Sequence, residues 1–411
     1  MSEWKQYKLG ELSEITSSKR IFYSEYVPYG VPFYRSKEII DLYNKREVST
    51  ELYISEKRFK EISEKFGAPK EGDILLTSVG SLGIPYKVKP NDHFYFKDGN
   101  LTWFKDIDRN RLLPDYLMFW ITSIMGKQKL DEITIGSTQA ALTISGLKTI
   151  VISLPQLETQ RRIASILSSL DDKIDLLRRE NATLEAMAET LFRQWFLEEA
   201  KEDWEEGKLG DFVVETVGGE WGKENAEGDF IKPVQCIRGT DIADLNVGLA
   251  TKTPIRFVKE SKFEKIEPRN GDIIMEISGG TENQSTGRVA YINKDVKVLF
   301  DYPIVFSNFC RLLRVKEEYT YFVYCYMKYL YGQDEFFNLE NGSSGIKNLD
   351  YKALLFELTY PMPTHKQQIL DFNDKVSVYF EKINRNKLQI KTLIQTRDEL
   401  LPRLMSGELK V

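Results

Sequence analysis

The chain repeats itself once, and this internal repeat restricts the possible folds more than any other feature of the sequence. Five short segments recur in the same order at offsets of 199 to 206 residues. The matching pairs are Trp4–Gly10 with Trp204–Gly210, Arg35–Leu42 with Arg238–Leu245, Gly72–Leu75 with Gly271–Ile274, Gly136–Ser137 with Gly342–Ser343, and Leu154–Ile163 with Tyr360–Ile369. The sequence therefore consists of two copies of one unit of about 200 residues.

Each copy combines a globular part with a long helical end. In the globular part, short β-rich runs such as DILLTSV and FCRLLRV alternate with turn residues and short helical stretches, which is typical of an α+β chain. The end of the first copy has no proline or glycine between Glu158 and Lys201. We predict two tandem α/β domains, 1–154 and 204–360, each followed by a long helical segment, 155–203 and 361–411.

The two long helices carry a heptad pattern, in which apolar residues are separated alternately by three and four positions. Two tandem copies tend to associate about a pseudo-twofold axis, and helices that pair across such an axis run antiparallel. The pattern favours an antiparallel coiled coil over two separate core helices. The central seam residues are Leu170, Ile174, Leu177, Asn181, Leu184, Tyr379, Ile383, Asn386 and Ile390.

One asparagine lies near the middle of each seam. A buried asparagine fixes the register of a coiled coil because it prefers a polar partner on the opposite helix. Antiparallel pairing would bring Asn181 and Asn386 within about 8 Å of each other. The alternative is that both side chains lie at the edge of the seam, in water.

Composition and motifs argue against catalysis in this chain. The two histidines, His93 and His365, are too far apart for a metal cluster or a catalytic pair. No GxxxxGK[ST] motif occurs, and Asp272 with Glu276, which resembles a nuclease carboxylate pair, lacks the accompanying lysine. Three cysteines at no useful spacing favour neither disulfides nor zinc. Without a signal-peptide pattern or an 18-residue apolar run, we expect a cytoplasmic protein and no membrane partner.

Two stretches carry a family resemblance: LPQLETQRRIASILSSLDDKIDLLRRENATLEAMAETLFRQWF from Leu154, and QTRDELLPRLMSGEL near the end. With the repeat, they resemble the specificity subunit of type I restriction-modification systems over nearly the whole chain. Only the second copy departs from the pattern, between Thr364 and Phe380. The resemblance implies two target-recognition domains that read a bipartite site in double-stranded DNA, and helices that dock two modification (methyltransferase) subunits. Restriction (translocase-nuclease) subunits would join them.

The resemblance also implies where the chemistry lies. This chain would hold no cofactor, whereas S-adenosylmethionine, ATP and magnesium would bind to the partner subunits. A helix from Ile163 to Trp195 would be about 50 Å long, which corresponds to roughly one to one and a half turns of DNA. The half-sites would then be separated by a gap of unspecified bases.

Candidate DNA contacts lie in polar and basic loops, since phosphates and base edges bind Lys, Arg, Ser, Thr, Asn and Gln. The net charge of −5, with 57 Lys and Arg against 62 Asp and Glu, requires such contacts to be local. The glycine-containing loops after Gly72–Leu75 and Gly271–Ile274 are the preferred sites, and their sequences differ, which predicts two unlike half-sites. The candidates are Lys19, Arg20, Arg35, Lys37, Ser78, Ser81, Thr138, Gln139, Arg238, Thr240, Thr281, Asn283, Gln284, Arg288, Ser343, Ser344 and Lys347.

The sequence is also compatible with two other functions. The first is a specificity subunit of another restriction class, in which one fused methyltransferase-nuclease replaces the separate partners. The second is a structural coiled-coil adaptor that does not bind DNA. A footprint over a discrete bipartite sequence, obtained with the methyltransferase partner, would exclude the adaptor.

Overall fold

The computed structural model describes residues 4–46, 48–136, 140–200, 203–249, 252–342 and 347–411. The chain forms two compact units: residues 1–171 with 395–411, and residues 172–394. These units differ from the four predicted segments because their boundaries fall inside the two long helices. The start of the first helix and the end of the second helix belong to the first unit.

The first unit contains small, mainly antiparallel sheets and short helices. Its strands are β1 Lys5–Lys8, β2 Glu14–Thr16, β3 Tyr26–Val27, β4 Val31–Tyr34, β5 Tyr53–Ile54, β6 Ile74–Thr77, β7 Pro85–Lys87, β8 Tyr95–Phe96, β9 Leu101–Lys105, β10 Thr134–Ile135, β11 Ala141–Leu142 and β12 Val151–Leu154. Its helices are α1 Leu9–Leu12, α2 Ser36–Tyr43, α3 Glu56–Phe66, α4 Pro114–Thr122, α5 Ile124–Glu132 and α6 Ile144–Thr149, with a 3₁₀ turn at Tyr23–Glu25. The first long helix is α7 Leu157–Arg193, which a π turn extends to Glu198.

The second unit repeats this plan. Its strands are β13 Glu205–Gly207, β14 Val213–Gly218, β15 Phe230–Ile237, β16 Ile255–Lys259, β17 Ile273–Glu276, β18 Ser278–Gly279, β19 Val289–Tyr291, β20 Ile304–Phe306, β21 Cys310–Val315, β22 Glu340–Asn341, β23 Lys347–Leu349 and β24 Tyr360–Met362. Its helices are α8 Asp241–Asn246, α9 Glu260–Ile266, α10 Lys294–Lys297 and α11 Thr320–Gly332, with 3₁₀ turns at Leu209–Phe212, Glu317–Tyr319 and Glu335–Leu339 and a π turn at Ala353–Glu357. The second long helix is α12 Gln367–Met405.

Sheet topology confirms the duplication and the predicted α+β class. The main sheet has the strand order β2-β9-β6-β7 in the first unit and β14-β21-β17-β19 in the second. A second sheet pairs β4 in parallel with β8, as β15 pairs in parallel with β20. The first and last strands of each copy also pair, β1 with β12 and β13 with β24.

The long helices complete the hydrophobic core of each unit. In the first unit, Ile163 and Leu167 of α7 share a buried cluster with Leu404 and Met405 of α12. The buried Gln160 fixes the start of α7, since its side chain accepts a hydrogen bond from Leu113 N and donates to two backbone carbonyls. The second glutamine of the LPQLETQ motif, Gln160, is therefore a structural residue.

In the second unit, the two helices pair antiparallel, as predicted from the heptads. Ile174 and Leu177 of α7 form a buried cluster with Ile390 of α12. Further along, Asn386 Nδ2 donates to Asn181 Oδ1 at 2.8 Å. Both asparagines are buried, so the predicted register pair is confirmed and the solvent-exposed alternative is wrong.

The seam is wider than the heptad pattern indicates. Leu170, Leu184 and Tyr379 are only half-buried, whereas α12 buries a second row of residues, Phe380, Asn384 and Lys387. This row faces the globular part of the second unit. The heptad pattern does not predict this second row, because α12 packs against a helix and against a domain at the same time.

Candidate nucleic-acid interface

In the second unit, a cleft lies at one edge of the main sheet, where β14 and β17 end and β21 begins. Its volume is about 640 Å³. It is lined by Trp221, Arg238, Gly239, Thr240, Glu276, Ser278, Gly279, Gly280, Thr281, Gln284, Arg288, Asn308 and Phe309. The structure thus brings the predicted residues Arg238, Thr240, Thr281, Gln284 and Arg288 together at one site.

The strands that flank two predicted loops pair beside this cleft. Strand β18, at the start of the glycine-rich loop, pairs with β23, and β23 pairs with β22. The loop between β22 and β23 contains the second Gly-Ser motif. Within the first loop, Thr281, Asn283 and Gln284 are exposed, which leaves their side chains available to a ligand.

The cleft also contains a buried ion pair. Arg288 Nε and Nη2 donate to the two carboxylate oxygens of Glu276 at 2.9 and 2.7 Å. These hydrogen bonds hold the pKa of the guanidinium above its ordinary value. The Glu276 side chain is 3% exposed and that of Arg288 is 20% exposed, so the arginine reaches the cleft surface while the carboxylate lies behind it.

Arginine at the start of the repeated helix has the same setting in both units. Arg35 N and its guanidinium bond to Glu38, and Arg238 N and its guanidinium bond to Asp241. Each carboxylate is buried at the first turn of a helix, so the repeated motif first of all fixes a helix start. About 40% of each arginine side chain stays exposed.

In the first unit, Lys19 and Arg20 follow the end of β2, and Ser78 and Ser81 follow the end of β6. Arg20 Nε donates to Asp98 at 2.7 Å, and Lys19 Nζ lies 5.2 Å from the centre of the Phe66 ring. The backbone of Ser78 pairs with Asn100 on one side and with Leu142 on the other. The loop after β6 therefore lies against the β10–β11 hairpin, as β18 lies against β23 in the second unit.

The remaining candidates of the two units differ in their exposure and in their contacts. Lys37 and Ser81 are exposed. Ser78 is buried, and its hydroxyl lies 2.6 Å from Thr102 Oγ1, so the proposed DNA contact of this side chain is replaced by a role inside the sheet. Lys347 pairs with Glu340 at 2.8 Å, which reduces its availability to a phosphate.

Some candidates lie outside the described residues, namely Thr138, Gln139, Ser343 and Ser344.

Sequence reasoning missed several residues of the cleft. Trp221 and Phe309 lie in the loops that follow β14 and precede β21, and half of Phe309 is exposed. The repeat contained a signal for them, since both loops join strands of the duplicated sheet at the same edge as the predicted loops.

The carboxylates Asp272 and Glu276 do not form a catalytic pair. Asp272 precedes β17 and pairs with Arg314 at 3.0 Å, whereas Glu276 ends the strand and pairs with Arg288. Burial raises the pKa of Asp272 to about 6. Within the described ranges, no group of three or more His, Cys, Asp or Glu residues could hold a metal ion. No described helix is both long and apolar enough to cross a membrane.

Two duplicated mixed domains, each with a loop held against a strand pair at a sheet edge and each joined to a long helix, define a tandem recognition protein. The sequence profile of the type I restriction modification DNA specificity domain matches residues 1–186 and again 201–392. The chain belongs to this family, and it is a non-catalytic specificity subunit with two target-recognition domains. Membership implies DNA binding and assembly with other restriction-modification subunits, which excludes the adaptor alternative.

The chain is similar to two specificity subunits over nearly their whole length. The chain is 27% identical to the type I restriction enzyme MjaIX specificity subunit of Methanocaldococcus jannaschii, covering 100% of this chain and 94% of that protein. It is 24% identical to the HindI specificity subunit of Haemophilus influenzae, covering both proteins completely. The crystal structure of the type I S subunit from M. genitalium has the same fold, with a TM-score of 0.55, 17% identity, and coverage of 98% and 96%.

Proposed function

We propose that each unit reads one half of a bipartite DNA target through its pair of loops at the sheet edge. The observation that carries this proposal is that both units place the loop after the Gly-Asp-Ile strand beside the Gly-Ser hairpin. Loops are the usual place of recognition on a rigid scaffold. Because the loop sequences differ between the units, the two half-sites would be unlike, with unspecified bases between them.

We further propose that the long helices dock two modification subunits, and that restriction subunits join this complex. S-adenosylmethionine, ATP and magnesium would bind to those partners, while this chain supplies recognition alone. The complex would work in the cytoplasm. A net charge of −5 supports this division of labour, since much of the non-specific phosphate attraction would come from the partners.

The test combines this chain with its modification subunits and maps methylated bases across a genome by single-molecule sequencing. The wild-type complex should methylate one bipartite motif. Replacing Thr281, Asn283 and Gln284 together with alanine should relax or abolish one half of that motif. These side chains are exposed, so the change removes contacts to DNA without opening a cavity in the core.

A matched control replaces Ser261, Glu264 and Lys265 with alanine. These residues are equally exposed in the same unit, on α9, which does not line the cleft. The control should leave both halves of the motif intact. If the loop variant keeps the complete wild-type motif, the loops do not read DNA and the proposal is wrong. Replacing both Lys19 and Arg20 with alanine should affect only the other half-site.

A further inference from the structure

We propose that Arg288 reads one guanine in the half-site of the second unit, and that Glu276 positions it for this task. The inference rests on the proposed function, and it adds the identity of one base and of the residue that reads it. Guanine offers O6 and N7 in the major groove, and an arginine fork that donates to both atoms is the commonest specific contact to a base.

Arg288 keeps hydrogen-bond donors that its ion pair with Glu276 does not use. A guanidinium has five N–H groups. Arg288 uses Nε and one Nη2 hydrogen on Glu276. Among the described residues, no acceptor is bonded to Nη1 or to the second Nη2 hydrogen. The end of the fork, formed by Nη1 and Nη2, is thus available to a ligand in the cleft.

Close packing holds the carboxylate of Glu276 in place. A Cβ atom on Gly239 would lie 2.6 Å from Glu276 Oε1, and a Cβ on Gly279 would lie 2.8 Å from the same atom. A side chain at either position would therefore require the carboxylate to move. Gly279 also has a φ of +150°, which favours glycine. A carboxylate enclosed in this way fixes the plane of the arginine before DNA arrives, and such preorganisation favours specific recognition.

The other arginine of the cleft lacks this free fork. Arg238 donates from Nε and Nη2 to Asp241, and Nη2 also donates to the carbonyl of Lys252 at 3.2 Å. Both hydrogens of Nη2 are then used, so a bidentate contact to guanine is incomplete. Arg238 is better suited to a single phosphate contact through Nη1, together with its role at the start of α8.

The cleft around Arg288 suits the edge of a base. Gln284 and Asn308 add amide groups that hydrogen-bond to base edges, and the exposed ring of Phe309 and the indole of Trp221 add apolar surface. A buried ion pair with a merely structural role would not require its arginine to reach such a surface. Arg314 provides the contrast, because its side chain is 7% exposed and all three of its nitrogens are bonded.

The experiment measures methylation rates of the assembled complex on DNA duplexes in which each base of the half-site is replaced in turn. The half-site of the second unit is the one that the loop variant at Thr281, Asn283 and Gln284 alters. The wild type should discriminate against replacement of one guanine by about 5- to 150-fold, the range of a good bidentate contact. The double variant Arg288→Met with Glu276→Gln should lose this discrimination at that position alone.

Glu276→Gln alone should retain part of the discrimination, because the arginine stays but loses its charged anchor. The matched control, Arg314→Met with Asp272→Asn, removes another buried ion pair, which joins β21 to the residue before β17 and does not line the cleft. It should leave base preference unchanged, even if it lowers stability. Thermal unfolding of each complex separates loss of fold from loss of preference.

Three results would overturn the inference: a half-site without any discriminated guanine, a double variant that still prefers guanine, or equal weakening on all sequences, which indicates a phosphate contact. These results leave the proposed function standing if the loop variant still alters the motif. Methylation that does not depend on this chain, or a motif that no loop variant changes, would instead refute the proposed function.

Discussion

Replacing Lys387 with methionine should stabilise the second unit by roughly 3 kcal/mol at pH 7. Lys387 lies in α12 and is 3% exposed. Its ammonium group lies 5.6 Å from the centre of the Tyr291 ring, a weak partner for a buried charge. Glu185 attracts the ammonium, but Lys328 opposes it, and burial dominates. Burial lowers the pKa of Lys387 from 10.5 to about 8.

The magnitude follows from the two pKa values. Each pH unit of difference corresponds to about 1.4 kcal/mol, so 10.5 against about 8 gives a cost of roughly 3 kcal/mol. At pH 7 the amine is protonated in both the folded and the unfolded chain, and the folded state bears the full cost. Between pH 8 and 10.5 the unfolded chain binds more protons, so the contribution of this group to stability rises with pH. Above that window the cost disappears.

The assay is urea denaturation of wild type and Lys387→Met at pH 7, 9 and 10.5, followed by circular dichroism. Other groups titrate in the same window, so the free energy of unfolding is compared between the proteins at each pH. The gain of the variant should shrink towards zero at pH 10.5, apart from a constant packing contribution. Lys382→Met is the control, because Lys382 lies in the same helix but is half-exposed and paired with Glu180. It should change stability by less than about 1 kcal/mol.

A difference between wild type and Lys387→Met that does not vary with pH would refute this reasoning. It would mean that the amine keeps an ordinary pKa inside the folded unit. A loss of stability at pH 7 would refute it as well, because the ammonium would then have stronger partners than the Tyr291 ring and Glu185 provide.

Three further substitutions test individual contacts inside the second unit. Asn386→Leu should cost about 1 to 3 kcal/mol in urea denaturation because it strands the buried amide of Asn181, and changing both asparagines to leucine should restore much of the loss. Phe192→Ala should cost about 3 to 5 kcal/mol by the same measurement, since this buried ring packs near the rings of Phe196, Phe322, Tyr326, Tyr329 and Phe372; a cost below 1 kcal/mol would contradict this. Gly279→Ala should lower discrimination in the second half-site in the methylation assay, because the new Cβ would displace Glu276; unchanged discrimination would argue against a fixed carboxylate.

The repeat and the heptads allowed much of the architecture to be predicted from the sequence. The five matched segments required two copies of one fold, and the two main sheets have the same strand order. The buried pair Asn181 and Asn386 followed from a seam that is visible in the sequence. These features are predictable because helical periodicity and internal repetition are properties of the chain itself.

Several residues that line the cleft of the second unit could be predicted from the sequence, but the contacts of the individual candidates could not. Ser78 and Lys347 are polar residues in the predicted loops, yet one is buried inside a sheet and the other is paired with a glutamate. A sequence pattern shows that a residue is polar, whereas only neighbouring strands decide whether its side chain meets water or protein.

By itself, the sequence determined that this protein is a duplicated reader with two long paired helices. Tertiary structure decided which of the two cleft arginines, Arg238 and Arg288, keeps a hydrogen free on both Nη1 and Nη2. Glu276 and Arg288 lie twelve residues apart, and they meet only because β17 and β19 pair antiparallel. The second buried row of α12, including Lys387, likewise exists only because a domain packs on that face. Both depend on contacts between distant segments, which local spacing does not record.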